Sequence, residues 1–545
     1  MTEIRSTDCL SFGDSLFLSL ERDGMPLHMG SLSIFEGRMS LRECLRFVAK
    51  KLPLIPRYRQ RVVVAPLNLT LPSWQADPEF DVRNHVREVR LRRGTEREMK
   101  TVTARLLSIN LDRRRPLWDM TLLTGLSGGR TGMLTRVHHC MADGLSGVEL
   151  MNVLMDHTPE FARPSQPSPS SRAKDQLAPS LLECFLQSCL STVQRVFTAE
   201  SELLSMAQRA VATAGNGHDD LEAQAHPGLN GDAPALSAQE LNRMLPELLA
   251  PAQRLPFNVI CRGPQKFECA EVPLATLKQI KHACGVTLND VVLGLVTYAV
   301  RSYAAALKVQ TRGRSLRIVV PVSIRRKSEM GELGNHLTFV PVTVPLQRRR
   351  VRDLVSAAHE YVQSLKRAHV GELVGLAGTL LGAIPAPLQA AIGPLASQLP
   401  LSVCNLICTN VPGPHDTLYL LGHKMLACYP YVPIGGEMGM NCAVLTYDGT
   451  AFFGFTGDVH AIPDLGSLPK FLLAGFAQLQ KEVGIRAPQA KRVRAVRRRP
   501  RAVTAPVPAA TPTVPVVDFP RKPAEPPEAS RKQNAKVMGA AAGAA

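Results

Sequence analysis

Aromatic side chains are scarce in this 545-residue chain: Phe, Trp and Tyr make up 5% of it, with only two Trp. That scarcity argues against a nucleic-acid partner, because such binders interleave stacking rings with positive charge. The twelve cysteines include no CxxC pair, so neither zinc spacing nor a dithiol redox motif is present. The nearest pairs, Cys184/Cys189 and Cys404/Cys408, stand in apolar surroundings. They read as buried reduced thiols and point to the cytosol. No unbroken apolar run opens the chain, where Glu3, Asp8 and Asp14 intervene, so a signal peptide is not expected. No Gly-x-Ser-x-Gly elbow is evident, which leaves a serine acyl-enzyme unsupported. No repeat of fixed period is visible.

Charge is missing from one long stretch, Leu373 to Pro414, enough residues to span a bilayer. It carries Pro385, Pro387, Pro394, Pro400 and Pro412, with Gln389 and Gln398. A spanning helix with those prolines would leave backbone groups unsatisfied in lipid. The stretch reads instead as a buried helix pair, or as an apolar surface that dips into a membrane or lipid droplet.

What is present is a large core: 45% hydrophobic and 20% charged residues, the proportions of a globular protein. The net charge is +18, and half of it lies from Lys491 onward, where twelve Lys and Arg meet three acids. This Pro- and Ala-rich tail holds one aromatic, Phe519. It reads as disordered, either simply solvated or drawn to an anionic membrane surface. Residues 1–157 form a mixed α/β domain, with helices over Leu41–Leu52 and Glu96–Leu107. Its strands cover Arg61–Ala65, Val86–Leu91 and Met133–His138. Residues 158–255 are a connector, with a Pro/Ser linker and an amphipathic helix over Leu182–Phe197. Residues 256–486 form a second α/β block, with helices over Leu274–Ala283 and Val291–Leu307. Strands cover Leu316–Val322 and Leu337–Val344. Residues 487–545 are the tail.

The segment richest in chemistry is His138-His139-Cys-Met-Ala-Asp143-Gly144. A strand runs into the histidine pair, Asp143-Gly144 closes a turn, and Leu145 begins an amphipathic helix. Strand ends that open into a crevice are where α/β proteins place reactive groups. A neutral imidazole can take the proton of a hydroxyl as it attacks an acyl carbon. Asp143 would set the imidazole or brace the loop against an arginine, and Gly144 would supply a backbone angle closed to other residues. The same residues also suit a structural pair. A metal site would need further ligands at regular spacing, and His28, His85, His336 and His359 form no such pattern.

The motif resembles the HHxxxDG signature of the bacterial wax ester synthase/diacylglycerol acyltransferase family, related to CoA-dependent acyltransferases and condensation domains. Other segments are similar to the family in the same order. They are Leu10–Asp14 with Pro26–Gly30, then Pro116-Leu117-Trp118, then Asn289-Asp290. Pro321–Arg325 with Gly334-Asn335, Asn410–Pro414 and Tyr447–Gly449 follow. Phe12-Gly13 departs from the family's Pro-Leu or Pro-Met, and the connector and tail fall outside the likeness.

The resemblance implies two chloramphenicol-acetyltransferase-like α/β domains, an α+β sandwich in pseudo-twofold arrangement around a helical connector, with the active site at their interface. It implies that His139 is the general base, that His138 shapes the pocket, and that Asp143 forms a structural ion pair, for which Arg325 is the candidate partner. Asn289 and Asp290 would line the far side of the channel or simply cap a helix. Trp118 fits core better than ligand contact, and Asn410–Pro414 would be a rigid turn. The expected reaction is transfer from long-chain acyl-CoA, as co-substrate, to diacylglycerol or a fatty alcohol, with no metal and no bound cofactor. Another hydroxyl acceptor, such as a sugar or polyketide diol, or a silent lipid-binding protein, are the alternatives. The expected place is cytoplasmic, peripherally attached to a membrane or lipid inclusion.

Overall fold

The computed structural model describes residues 9–68, 70–142, 144–159, 243–244, 246–248, 250–323, 337–382, 384–389 and 404–485. The expected helix over Leu182–Phe197 and the basic tail lie outside the described residues. In chain order the first half comprises α1 (Phe12–Leu20), β1 (His28–Phe35), α2 (Leu41–Lys51), β2 (Gln60–Val63) and β3 (Ser73–Ala76). It continues with β4 (Val86–Arg90), α3 (Glu96–Leu107), β5 (Trp118–Leu126), β6 (Arg130–His138) and α4 (Gly144–Leu154). The second half comprises β7 (Gln265–Pro273), α5 (Leu274–Cys284), α6 (Leu288–Ala306), β8 (Ser315–Ser323), β9 (Leu337–Pro345), α7 (Val351–Arg367) and α8 (Val370–Gly382). It ends with β10 (Leu406–Pro412), β11 (Tyr419–Leu420), β12 (His423–Tyr431), β13 (Met440–Tyr447), β14 (Thr450–Asp458) and α9 (Ser467–Glu482).

Local chemistry sets the helix starts. Ser40 and Glu43 form a capping box ahead of α2, whose Cys44, Phe47 and Val48 recur on one buried face. Thr95 caps α3 by accepting from the Glu98 N–H. The Glu98 carboxylate in turn accepts from the N–H groups of Arg92, Arg93 and Gly94. At the other end of a helix, Gly285 takes the left-handed conformation and stops α5.

The strands assemble into two six-stranded sheets, ordered β11-β12-β1-β6-β5-β4 and β7-β14-β13-β10-β8-β9. Two strands of the first sheet come from the second half of the chain, since β12 pairs antiparallel with β1. The sheets therefore do not divide at the connector. Nothing in the local pattern of residues 419–431 marks this exchange, because strand periodicity records burial and not the partner. The second sheet is the more deeply buried, with every residue of β13 inside. The two sheets touch at backbone distance where Gly454 of β14 faces Pro430 of β12, and a Cβ at Gly454 would lie 1.8 Å from the Pro430 oxygen.

Among the described residues the uncharged 373–414 stretch contributes most of α8, a helical segment at 386–389 and the strand β10, and residues 390–403 lie outside them. Asn410–Pro412 accordingly ends a strand rather than forming a turn. No single described helix is long and apolar enough to cross a membrane. The bent pair α5–α6 passes on composition, but α6 is largely buried in the second core.

Candidate active site

The histidine pair is clamped by backbone from two neighbouring strands. The His138 N–H donates to the Leu117 carbonyl at 2.9 Å, and the His139 N–H donates to the Leu27 carbonyl at 3.0 Å. Leu117 and Trp118 are buried. The Trp118 indole N–H donates to the Tyr58 carbonyl at 2.8 Å, and the ring stacks on His85 at 4.5 Å. Trp118 is thus core, as the sequence suggested, and Pro116-Leu117-Trp118 acts through a carbonyl that fixes His138.

The His138 ring is committed. Its Nδ1 accepts from the Cys140 N–H at 3.1 Å, which assigns the ring proton to Nε2. That nitrogen faces Glu21 Oε1 at 3.5 Å, with both side chains buried. Glu21 Oε1 also accepts from the Leu27 N–H at 3.1 Å. Its Oε2 accepts from Arg113 Nε at 3.0 Å and Nη2 at 2.9 Å. Burial raises the Glu21 pKa. The hydrogen bond from His138, the Leu27 amide and Arg113 outweigh it and hold the carboxyl below its ordinary value. Arg113 Nη2 donates further to the Leu18 carbonyl at 2.6 Å, a cation at the C-terminal end of α1.

His28 stands opposite His138 across β1 and β6. Burial, with Arg136 and His138 nearby, keeps its imidazole far below the usual pKa, hence neutral. Arg136 beneath it is buried and forms a bidentate pair with Asp119, Nε to Oδ1 at 2.9 Å and Nη2 to Oδ2 at 2.5 Å. This pair ties β5 to β6 directly below the histidines.

His139 has the more open setting: it is half-buried and stacks on Phe17 of α1, with centroids 4.1 Å apart and planes 13° from parallel. The two rings thus differ in setting, His138 being fully buried beside Glu21 and His139 half-buried against Phe17. Asp143 and Arg325 lie outside the described residues. Gly144 is the first residue of α4, so it starts a helix where the sequence suggested a tight turn.

Asn289 and Asp290 fall in the first turn of α6, but the N-cap is Thr287, with Asp290 at the third position of a capping box. Asp290 Oδ2 accepts from the Thr287 N–H at 2.9 Å and the Thr287 hydroxyl at 2.8 Å. It also meets His359 Nδ1 of α7 at 2.7 Å. The described contacts of Asp290 hold α6 to α7 and do not include the histidine pair. Among the described residues no three His, Cys, Asp or Glu side chains converge as metal ligands. Sequence reasoning missed Glu21, Arg113 and Phe17. Their only signal was position, Glu21 seven residues before His28 and Arg113 three before Pro116, and the pairing itself is long-range.

Comparison with known proteins gives the same picture. A family model described as the wax ester synthase/diacylglycerol acyltransferase catalytic domain matches residues 10–292, and one for the C-terminal domain of that family matches 333–480. A probable diacylglycerol O-acyltransferase, tgs1, of Mycobacterium tuberculosis is 29% identical over 463 residues, 83% of this chain and 91% of that protein. The wax ester synthase/diacylglycerol acyltransferase structure from Marinobacter aquaeolei VT8 superposes with a TM-score of 0.58 at 21% identity, covering 88% of this chain and 100% of that one. A mutant starter condensation domain of rhizomide synthetase RzmA, in complex with C8-CoA and Leu-SNAC, gives a TM-score of 0.51 at 11% identity. It covers 87% of this chain and 94% of that one.

Proposed function

Because the chain belongs to the wax ester synthase/diacylglycerol acyltransferase family and is an O-acyltransferase, we propose that it transfers a long-chain acyl group from CoA to diacylglycerol or a fatty alcohol, with His139 as general base. The alcohol proton passes to the imidazole as the oxygen attacks the thioester carbonyl. The tetrahedral adduct collapses, the C–S bond breaks, and the imidazolium returns the proton to the departing CoA sulfur. Ester and free CoA are the products. No covalent acyl-enzyme and no bound cofactor is required.

The observation that carries this reading is the contrast between the two rings. His138 is fully buried, with Nδ1 on Cys140 and Nε2 toward Glu21, whereas His139 is half-buried, stacked on Phe17 at its face and held at its N–H by the Leu27 carbonyl. A peripheral seat on a membrane or lipid inclusion is part of the proposal. Leu380, Leu381 and Leu388, at and beyond the end of α8, are exposed, and such a cluster suits lipid.

The test is release of free CoA from palmitoyl-CoA by purified protein with diolein or hexadecanol, for the wild type and His139→Ala. Acceptor-dependent release that disappears in a folded variant supports the reading, and the better acceptor names the product. Absence of release with either acceptor refutes it and turns attention to other hydroxyl acceptors or a silent lipid binder.

A further inference from the structure

We propose that the groove between α1 and the loop joining β2 to β3 binds a fatty-acid anion as an inhibitor, with its carboxylate on Arg113 and its chain directed toward the exposed leucines at the end of α8. The site is separate from those of the two substrates, and its inhibitory effect rests on the acyl-transfer reading above.

A cavity of about 260 Å³ runs along α1, close to the small end of ligand pockets at about 300 Å³. Phe12, Ser15, Leu16 and Ser19 recur at helical spacing and line it. Phe17, which stacks on His139, projects from the opposite side of the same helix. An occupant of the groove is therefore divided from His139 by α1. Across from the helix the loop contributes Val64 and Leu71. The two ends differ in chemistry. At the C-terminal end of α1, Arg113 donates to the Leu18 carbonyl, and it is the one charged side chain among the described lining residues. At the other end a Cβ on Gly382 would meet the Phe12 Cβ at 3.5 Å, so the close of α8 abuts the start of α1. Ala386 completes the wall there. From Phe12 to Ser19 the trough is about 10 Å long at 1.5 Å per residue.

An apolar trough with a cation at one end matches a single chain that ends in an anion. The described bonds of Arg113 use Nε and Nη2, which leaves Nη1 for a ligand, and the guanidinium is half-exposed. Arg114 and Arg115 follow it, with Asp112 as the acid they share, so the neighbourhood favours an anion. A carboxylate takes charge-assisted bonds from guanidinium, whereas an alcohol or a glyceride has no charge to place there. Beyond the trough, exposed Leu381 and Leu388 cover the rest of a long chain. Arg113 is also the group that pairs with Glu21, beside His138. A second carboxylate competes for it, loosens Glu21 and frees the end of α1 that carries Phe17. The chemical step slows while the substrate sites stay open. Hydrolysis of either the thioester donor or the ester product releases a fatty acid, so the site would restrain ester synthesis where hydrolysis prevails.

The experiment titrates laurate and dodecanol into the full-length wild type, Arg113→Gln and Val64→Trp by calorimetry, and follows CoA release from palmitoyl-CoA at increasing laurate. Laurate is expected to bind the wild type about tenfold more tightly than dodecanol, the effect of a charge-assisted hydrogen bond. Arg113→Gln should erase that difference. Val64→Trp fills the groove from an exposed position and should weaken laurate. In the wild type laurate should lower kcat and leave the KM for palmitoyl-CoA unchanged. In Val64→Trp, measured against its own uninhibited rate, that inhibition should be lost. Equal binding of laurate and dodecanol, wild-type laurate affinity in Val64→Trp, or laurate that only raises the KM for palmitoyl-CoA overturns the proposal. Wild-type protein that releases no CoA to any acceptor refutes the proposed function, while the calorimetry still reports on the groove.

Discussion

Replacing Glu21 by Gln probes the histidine pair without touching it. Three groups converge on the Glu21 carboxylate, the Leu27 N–H, the Arg113 guanidinium and the His138 Nε2–H, and all three are donors. A carboxylate accepts from every side, whereas an amide must turn its own NH2 toward one of them. With the amide oxygen kept on Leu27 and His138, the NH2 confronts Arg113 and forfeits its two charge-assisted bonds. Arg113 is about half-exposed and recovers part of that loss from water, while Glu21 is buried. A net destabilisation of about 2–3 kcal/mol follows. Arg113 also holds the end of α1 through the Leu18 carbonyl, and α1 carries the Phe17 ring beneath His139. A shift of about 1 Å there costs roughly 10²-fold in rate. The assay is steady-state CoA release together with denaturant unfolding as a function of pH. The Glu21 pKa is lowered in the folded protein, so its contribution to stability is full above the ordinary carboxylate value of about 4.3. It is lost as the pH falls through the lower folded value. The wild type should show that acid-side loss and Glu21→Gln should lack it. A variant equal to the wild type in kcat and in its pH–stability curve would refute the reasoning.

Other expectations are more local. Gly30→Ala should be insoluble or severely destabilised, because its Cβ would lie 1.9 Å from the Thr135 oxygen in the neighbouring strand, and recovery in the soluble fraction checks it. Asp290→Ala removes the capping box of α6 and leaves His359 unpaired. It should cost about 1–3 kcal/mol in chemical unfolding and change kcat less than twofold. Burial pushes the thiols of Cys261, Cys269 and Cys404 up to about 12. Iodoacetamide at mildly alkaline pH should leave those three unlabelled in the native protein by mass spectrometry. Leu381→Glu combined with Leu388→Glu should reduce flotation with liposomes, and equal flotation would remove α8 from the lipid-facing surface.

Elements with their own punctuation were legible in the sequence. Helix α3, read from alternating charge on a helical pattern, has its expected bounds, with Thr95 capping its start, and Val-rich β8 and β9 were placed within a residue or so. Where two neighbouring signals compete, the reading slipped. Asp290 looked like a cap, yet Thr287 three residues earlier holds that position. Asn410-Val-Pro-Gly-Pro414 looked like a turn because Pro and Gly dominate it, yet its first three residues extend a parallel strand beside β13. The histidine motif itself was plain, since strand, motif and helix are contiguous. Its supports were not, because Glu21, Arg113 and Phe17 reach it through space from segments with no periodic tie to it.

The strand exchange carries a consequence for synthesis. On a ribosome the two histidines emerge roughly 300 residues before Tyr431, an interval of about 15–60 s at typical elongation rates. Throughout that interval β1 has β6 on one side and an open row of backbone donors and acceptors on the other, where β12 later adds. Such an edge recruits other chains. The nascent first half therefore needs shielding until the segment from residue 423 arrives, and a gene truncated before codon 423 should yield aggregates that contain the histidine motif and no activity.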